Sequence, residues 1–207
     1  MTARDQQVGS TRHEVVRAGE ADIEVLAQVI AEAFFPLAVC RWLIPDGAAR
    51  RAAFPAYFRF YLEHAIADGL VETTLGRDAA GLWIPGDGPG EPPEEYAGQL
   101  AAITGPHLDR FLAFDQQLDQ HHPAGVFHEH LAILAVRPDC QGQGVGTALL
   151  DARHADLEDQ GIPAYLEASD ERTRRLYLAH GYADRGSPIE LAGGVRMYPM
   201  WRQPRTG

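Results

Sequence analysis

The stretch Gln141-Gly142-Gln143-Gly144-Val145-Gly146-Thr147 decides how this chain folds around a ligand. It follows the apolar run 131–136, and from Thr147 onward small or apolar residues recur at helical spacing. This order predicts a strand, a glycine-rich turn and the N-terminus of a helix. Glycine lets the backbone N–H groups come close to a ligand, and the helix dipole adds positive potential. The expected ligand is a phosphate or pyrophosphate.

Two common phosphate loops do not fit these residues. The nucleoside triphosphate loop requires a Gly-Lys-Ser/Thr end, which is missing, and the dinucleotide motif would need its third glycine at Thr147 or Leu149. The pattern Q/R-x-x-G-x-G/A does fit, with Gln141, Gly144 and Gly146. It resembles the acetyl-CoA loop of the GNAT family of N-acetyltransferases. An ordinary strand-to-helix turn is the structural alternative.

Composition restricts the class of protein. The 207 residues predict a single domain with a sizeable core, and 45% hydrophobic with 23% charged residues is ordinary for a globular protein. We expect no membrane span and no secretory signal. Cys40 and Cys140 are far apart in sequence and outside metal-binding spacings, which favours reduced thiols and a cytoplasmic protein. The net charge of −11 argues against a nucleic-acid partner and weakly favours a cationic or neutral amine.

Hydrophobic periodicity predicts an α/β (α+β) protein with a central sheet flanked by helices. Residues 1–12 are expected to form a disordered tail, and residues 86–125 a loop with a helical insertion. The predicted strands are 13–18, 70–75, 79–84, 127–136, 164–168, 188–191 and 195–201. The predicted helices are 22–34, 50–67, one or two within 94–120 broken near Gly105, 144–160 and 170–180. Pro55 is expected in the first turns of its helix, where proline is tolerated.

This order of elements resembles the GNAT fold, with a mixed sheet of about seven strands over residues 1–207. The match is tightest over residues 128–182. Within it, Leu166-Glu167-Ala168-Ser169 and then Leu176-Tyr177-x-x-x-Gly181-Tyr182 resemble the second CoA-side motif of the family. The tail 196–201 is more loosely similar to the closing strand of the puromycin-acetyltransferase-like branch.

The resemblance implies that acetyl-CoA is the acetyl donor and assigns its contacts residue by residue. One departure is Thr173, which stands about where the family often has Asn, so this CoA contact is an open point. The implied cofactor-binding residues are Leu134, Ala135, Val136, Gln141, Gly142, Gln143, Gly144, Val145, Gly146, Thr147, Ser169, Thr173, Leu176 and Tyr177.

Tyr177 is the candidate general acid. After an amine attacks the thioester, the CoA sulfur leaves as a thiolate that a nearby phenol can protonate. The alternative is a core tyrosine on a helix. Several other aromatic residues are assigned mainly to the core, with some available to line an acceptor pocket: Phe34, Phe35, Trp42, Tyr57 and Trp83.

His130 is the candidate base for the amine, and Glu129 is the second choice. Alternation along the strand places His128 and His130 on one face and Glu129 on the other. A histidine suits the task because it titrates near neutrality, although a buried structural histidine is about equally expected. His121 and His122 resemble solvated loop residues, and no metal site is predicted. Cys140 is assigned a structural role rather than that of a nucleophile.

The leading hypothesis is therefore an acetyl-CoA-dependent N-acetyltransferase. It would move an acetyl group to a primary amine of a small molecule by direct attack in a ternary complex. The alternatives are a non-catalytic acyl-CoA-binding or sensing module and acetylation of protein or peptide amines. Whether the chain is a monomer or a homodimer is left open.

Overall fold

The computed structural model describes residues 13–90 and 95–205. These residues form a sheet with helices on both faces. The strands are β1 Val15–Arg17, β2 Leu70–Thr74, β3 Ala79–Gly86, β4 His128–Val136, β5 Ala164–Ala168, β6 Ala183–Asp184, β7 Ile189–Leu191 and β8 Val195–Arg202. The α-helices are α1 Ile23–Phe34, α2 Ala38–Leu43, α3 Gly47–Asp68, α4 Tyr96–Thr104, α5 Leu108–His121, α6 Val145–Gln160 and α7 Glu171–Ala179.

The sheet is mixed, with the strand order β1-β2-β3-β4-β5-β8-β6, and β7 pairs with β8 outside this path. β4 and β5 pair in parallel, and the other pairs are antiparallel. The parallel pair is joined by α6, as a parallel connection requires a crossover. The predicted mixed sheet flanked by helices is confirmed.

Two helical layers cover the sheet. On one face, α1 to α5 enclose a core that includes Leu26, Phe54 and Phe111, and Ile133 of β4 packs into it. The predicted insertion thus shares the main core. On the other face, α6 and α7 pack against β4, β5 and β8. In the part of the chain that the structure describes, no helix is both long and apolar enough to cross a membrane.

Most predicted elements are present within a few residues, and the differences have local causes. Helix α2 was not predicted because its six residues follow Pro36 and are too few to show a helical period. The two-residue β6 was too short to predict. Helix α3 starts at Gly47, capped by the Asp46 side chain, so Pro55 lies in the helix interior rather than in its first turns. The predicted tail, residues 1–12, lies outside the described residues.

Two irregularities of β4 position the site. The register between β3 and β4 shifts from Leu82↔Ile133 to Trp83↔Leu131, which makes Ala132 the extra residue of a bulge. Moreover, β4 pairs with β5 at Glu129↔Ala164 and His130↔Tyr165, near the start of both strands. The two strands then separate toward their C-terminal ends, and this separation opens a cleft in the sheet.

Candidate active site

The glycine-rich turn has the predicted geometry. Gly144 is the N-cap of α6 with φ of +84°, and Gly142 has φ of +74°, conformations that disfavour other residues. The Gln141 side chain donates to the carbonyl oxygen of Val136 at 3.0 Å, and that of Gln143 donates to the carbonyl oxygen of Asp139 at 2.8 Å. Gln141 therefore braces the turn against the end of β4, and Gln143 braces it against the short 3-10 turn Pro138–Cys140 that follows β4.

A cavity of about 730 Å³ begins at this turn and extends through the cleft between β4 and β5. Its volume lies within the range of about 300–1,000 Å³ typical of small-molecule sites. Of the sequence-predicted site residues, those that line it are His130, Leu134, Ala135, Val136, Gln141, Gly142, Gly144, Val145, Gly146, Thr147, Ser169, Thr173, Leu176 and Tyr177. Gln143 and Glu129 are not among its lining residues.

The far end of the cavity is apolar and aromatic. Its wall comes from α1, α2, α3 and α5 together with residues between α1 and α2 and on β3 and β8. The residues of this wall are Phe34, Pro36, Leu37, Val39, Cys40, Leu43, Tyr57, Phe58, Tyr61, Ile84, Phe114, Leu118 and Met197. We call this part the apolar chamber. Burial raises the pKa of Cys40 to about 12, so its thiol stays protonated.

Tyr177 lies on the cavity wall with a residue exposure of 7%. Burial raises the pKa of its phenol above the ordinary value, and the charge of Asp170 adds to this. Its hydroxyl makes no hydrogen bond with the described residues, although its ring packs edge-on against Tyr182 at 5.6 Å between centroids. The phenol is therefore protonated, and its donor is free for a ligand.

His130 also lines the cavity and is paired with Glu167 of β5. The distance from His130 Nε2 to Glu167 Oε2 is 2.9 Å. Because a carboxylate accepts, the proton of a neutral His130 ring resides on Nε2, and the lone pair is on Nδ1. Burial alone would raise the pKa of Glu167, but the charge and hydrogen bond of His130 hold it below its usual value. Glu167 thus fixes the ring of His130 in a base-competent tautomer.

His122 and His128 lie beside this pair, which corrects the prediction that His122 is a solvated loop residue. His122 follows α5 directly and is half-buried, with its ring 4.9 Å from that of His130. Burial and the charge of His130 lower the pKa of His122 to about 4. Its Nε2 lies 3.1 Å from Nε2 of the fully buried His128. His122 is therefore a neutral, packed residue at neutral pH.

Glu129 points to the opposite face of the sheet, as strand alternation predicts. Its Oε1 accepts from Arg153 of α6 at 2.6 Å, and both side chains are largely buried. It is not a cavity residue, and this position argues against its role as the second-choice base. In a regular strand, residues three positions apart point to opposite faces. Because the bulge at Ala132 inserts an extra residue, His130 and Ile133 point to the same face.

Thr173 has a structural role that bears on the missing Asn. Asp170 caps α7 by accepting from the Thr173 backbone at 2.8 Å, while Thr173 Oγ1 receives the Asp170 N–H at 3.1 Å. The hydroxyl is thus already used in a capping box, although the residue lines the cavity. Cys140 is buried within hydrogen-bond reach of Arg137 and Asp78, consistent with its predicted structural role.

Sequence reasoning missed two parts of the site. Glu167 was quoted within a family motif but was given no role, and its alternation with Leu166 was the signal that placed it on the face of His130. The apolar chamber was anticipated only as aromatic residues available to an acceptor pocket. The chamber is assembled from residues of four helices, and no local sequence motif marks these residues as neighbours.

Comparison with known proteins identifies the fold and the chemistry. The family described as acetyltransferase (GNAT) domain matches residues 110–184, which include the glycine-rich turn and Tyr177. This chain contains a GNAT acetyltransferase domain and is an N-acetyltransferase. The GNAT family uses acetyl-CoA as the acetyl donor, so the predicted donor and reaction class are confirmed.

Solved structures with the same fold extend over nearly the whole chain. A structure described as histone acetyltransferase HPA2 and related acetyltransferase, from Corynebacterium glutamicum, is 25% identical, with a TM-score of 0.69 over 93% of this chain and 97% of that one. Arylalkylamine N-acetyltransferase 2 from Aedes aegypti is 13% identical, with a TM-score of 0.64 over 93% and 99%. The ribosomal-protein-S18-alanine N-acetyltransferase from Escherichia coli is 16% identical, with a TM-score of 0.53 over 94% and 95%. The last two similarities show the GNAT fold alone, and the likeness to the puromycin-type branch stays a prediction.

Proposed function

We propose that this GNAT enzyme transfers the acetyl group of acetyl-CoA to the primary amine of a small molecule by direct attack in a ternary complex. The observation that carries the proposal is the cavity itself. It connects the glycine-rich turn to the apolar chamber and places His130 and Tyr177 on its wall. Donor and acceptor can then occupy its two ends at the same time.

The donor end suits acetyl-CoA through backbone groups. The N–H groups at the start of α6 and the helix dipole favour the pyrophosphate at the turn. Leu134 to Val136 lie on the part of β4 that has separated from β5. Their main-chain groups on that side are offered to the pantetheine arm. Gln141 and Gln143 contribute by bracing the turn, as their hydrogen bonds indicate.

The chemistry uses one base and one acid. Nδ1 of His130 takes a proton from the ammonium, and the freed amine attacks the thioester carbonyl carbon to form a C–N bond. The tetrahedral intermediate releases its second N–H proton to solvent and collapses as the C–S bond breaks, and the hydroxyl of Tyr177 donates its proton to the leaving sulfur. The products are an amide and CoA. Solvent then reprotonates Tyr177 and takes the proton from His130, so one proton is released in each turnover.

The acceptor end favours an amine with an apolar body. The chamber is lined mainly by aromatic and aliphatic side chains, among them Phe58 and Phe114, so burial of hydrocarbon contributes most of the binding. Glu167 at the junction of the two ends supplies negative charge near the amine. These features support a small arylalkyl or alkyl amine over a strongly polar acceptor.

The experiment is a CoA-release assay with a panel of arylalkylamines, polyamines and peptides with free amines. We expect the highest kcat/KM for an amine with an apolar body, and a product heavier by one acetyl group in mass spectrometry. Double-reciprocal plots of the initial rate against one substrate, at several fixed concentrations of the other, should give intersecting lines, as a ternary complex requires. Parallel lines would instead show an acetyl-enzyme intermediate.

The other outcomes correspond to the alternative functions. A preference for peptides would favour acetylation of protein amines. Tight acetyl-CoA binding without turnover for any amine would favour a sensing module. Either result would overturn the small-molecule proposal while leaving the fold assignment intact.

A further inference from the structure

We propose that His122, His130 and Glu167 form a binding site for a divalent transition-metal ion such as Zn²⁺, and that the bound ion inhibits the enzyme. Each residue offers one ligand atom, and these atoms lie within 4.8 Å of one another. Two imidazoles and one carboxylate are a ligand set that zinc uses in proteins where a fourth position stays open. The inhibitory part of the inference rests on the proposed role of His130 as the base.

The geometry requires a small adjustment. Zinc bonds to nitrogen and oxygen of about 2.1 Å at tetrahedral angles place ligand atoms about 3.4 Å apart. His130 Nε2 and Glu167 Oε2 are already 2.9 Å apart. The three residues come from β4, β5 and the end of α5, so two of them are fixed by the sheet. His122 lies just beyond the helix end and outside the sheet, so we expect its side chain to make the adjustment.

Two ligand atoms of this cluster carry lone pairs that the hydrogen bonds of the site do not use. Glu167 Oε1 is buried and makes no hydrogen bond of acceptable geometry with the described residues, although the nearby Tyr165 hydroxyl helps to lower the pKa of this carboxyl group. His128 Nδ1 donates to the carbonyl oxygen of Val126 at 2.8 Å, so its Nε2 accepts the proton of His122 Nε2. The second nitrogen of His122 therefore carries a lone pair that this chain of hydrogen bonds does not use. His128 would then orient a metal-bound His122 from behind, as partners of ligating histidines do.

Metal binding removes the base. When His130 Nε2 binds the ion, the single proton of the neutral ring moves through solvent from Nε2 to Nδ1. That nitrogen has no lone pair left for the ammonium. His130 and Glu167 line the cavity, so the ion also occupies the place where the amine is expected. Inhibition should therefore be competitive with the amine and not with acetyl-CoA.

The test is a calorimetric titration of the untagged enzyme with ZnCl₂, first without CoA because the CoA thiol itself binds zinc. We expect saturable zinc binding in the micromolar range or tighter. For one of the bound ions, His122→Asn should abolish binding or weaken the affinity by at least about tenfold, because a ligand is lost. Cobalt(II) in the same site should give the visible absorption of a four- or five-coordinate ion, and His122→Asn should abolish it. Thermal unfolding without metal checks that the variant is folded.

A matched control addresses the other cluster with metal-ligand chemistry, Asp151, His154 and His180. His180→Asn should leave the site at His122 and the zinc inhibition unchanged. Loss of the cobalt spectrum in His180→Asn but not in His122→Asn would overturn the assignment, as would a wild-type enzyme that binds no zinc at millimolar concentration. Zinc binding that depends on His122 without inhibition would retain the site and reject His130 as the base. The two proposals therefore fail separately.

Discussion

The donor and acceptor ends of the cavity are built in different ways. The donor end comes from two short stretches of sequence, residues 134–147 and 169–177, and much of it is backbone held by glycines and helix caps. The apolar chamber is built from side chains that lie as far apart in sequence as Phe34 and Met197. The comparison indicates that the donor end is set by local geometry and the acceptor end by tertiary packing. Substitutions at the two ends should therefore change different kinetic constants.

The largest expected effect is at the junction of the two ends, in Tyr177→Phe. The change removes the hydroxyl that protonates the leaving sulfur, and loss of one positioned acid costs about 10²–10⁴-fold in rate. Acetyl-CoA affinity and Tm should change little, because the ring stays and the hydroxyl has no hydrogen-bond partner in the described part of the chain. Steady-state kinetics and thermal unfolding measure both. Parental turnover would mean that water or another group protonates the sulfur, and a large fall in Tm would favour a core role.

The next effect distinguishes the two faces of β4. His130→Gln should lower kcat by about 10²-fold or more, since the amine loses its base, with acetyl-CoA affinity nearly unchanged. Glu129→Gln should do the opposite. It keeps turnover at low temperature but lowers stability by about 1–3 kcal/mol, because the half-buried Arg153 loses the nearer of its two charged partners and keeps only the exposed Asp156.

These two variants should be assayed with a chelator present, so that metal does not affect the comparison. If Glu129→Gln loses the activity and His130→Gln keeps it, the face assignment of the base is wrong.

At the donor end, Gly144→Val should weaken acetyl-CoA binding by about tenfold or more, because a side chain at the turn obstructs the approach of the pyrophosphate to the backbone. The matched control is Gly161→Val at the other end of α6. Both glycines have positive φ, +84° and +68°, and at both an added Cβ would meet nothing within 4 Å. Both variants should therefore lose similar stability, about 1–2 kcal/mol, from the left-handed backbone. Calorimetry showing equal acetyl-CoA affinities in the two folded variants would reject the turn as the phosphate site.

The smallest expected effect is in the apolar chamber. Phe114→Ala should raise the KM for the amine by roughly tenfold through lost apolar contact, with the KM for acetyl-CoA unchanged. Leu112→Ala is the control, because it lies on the same helix α5 but is 39% exposed and is not a chamber residue. An equal effect of both substitutions would indicate a helix-wide change instead of a direct contact.

Much of the fold could be predicted because its signals are local. The strand, turn and helix around Gly144 follow from hydrophobic periodicity and the placement of glycines. Asp170, a favourable N-cap residue, predicts the start of α7. Helix α2 and the interior position of Pro55 could not be predicted. A single turn or two of helix after a proline depends on packing, and packing also determines how far α3 extends before Pro55.

The sequence by itself determined the donor end, since a backbone turn with helix caps needs no distant partner to take its shape. It also determined that His130 and Glu129 lie on opposite faces, because alternation is a property of the strand. Only the tertiary structure decided which face meets the cavity, since the bulge at Ala132 exchanges the faces between the two halves of β4. The pairing of His130 with Glu167 and the packing of His122 against it depend on contacts between β4, β5 and α5, which are far apart in the chain. The apolar chamber likewise depends on tertiary structure. Its shape arises where four helices meet the sheet, and no single segment of the chain contains it.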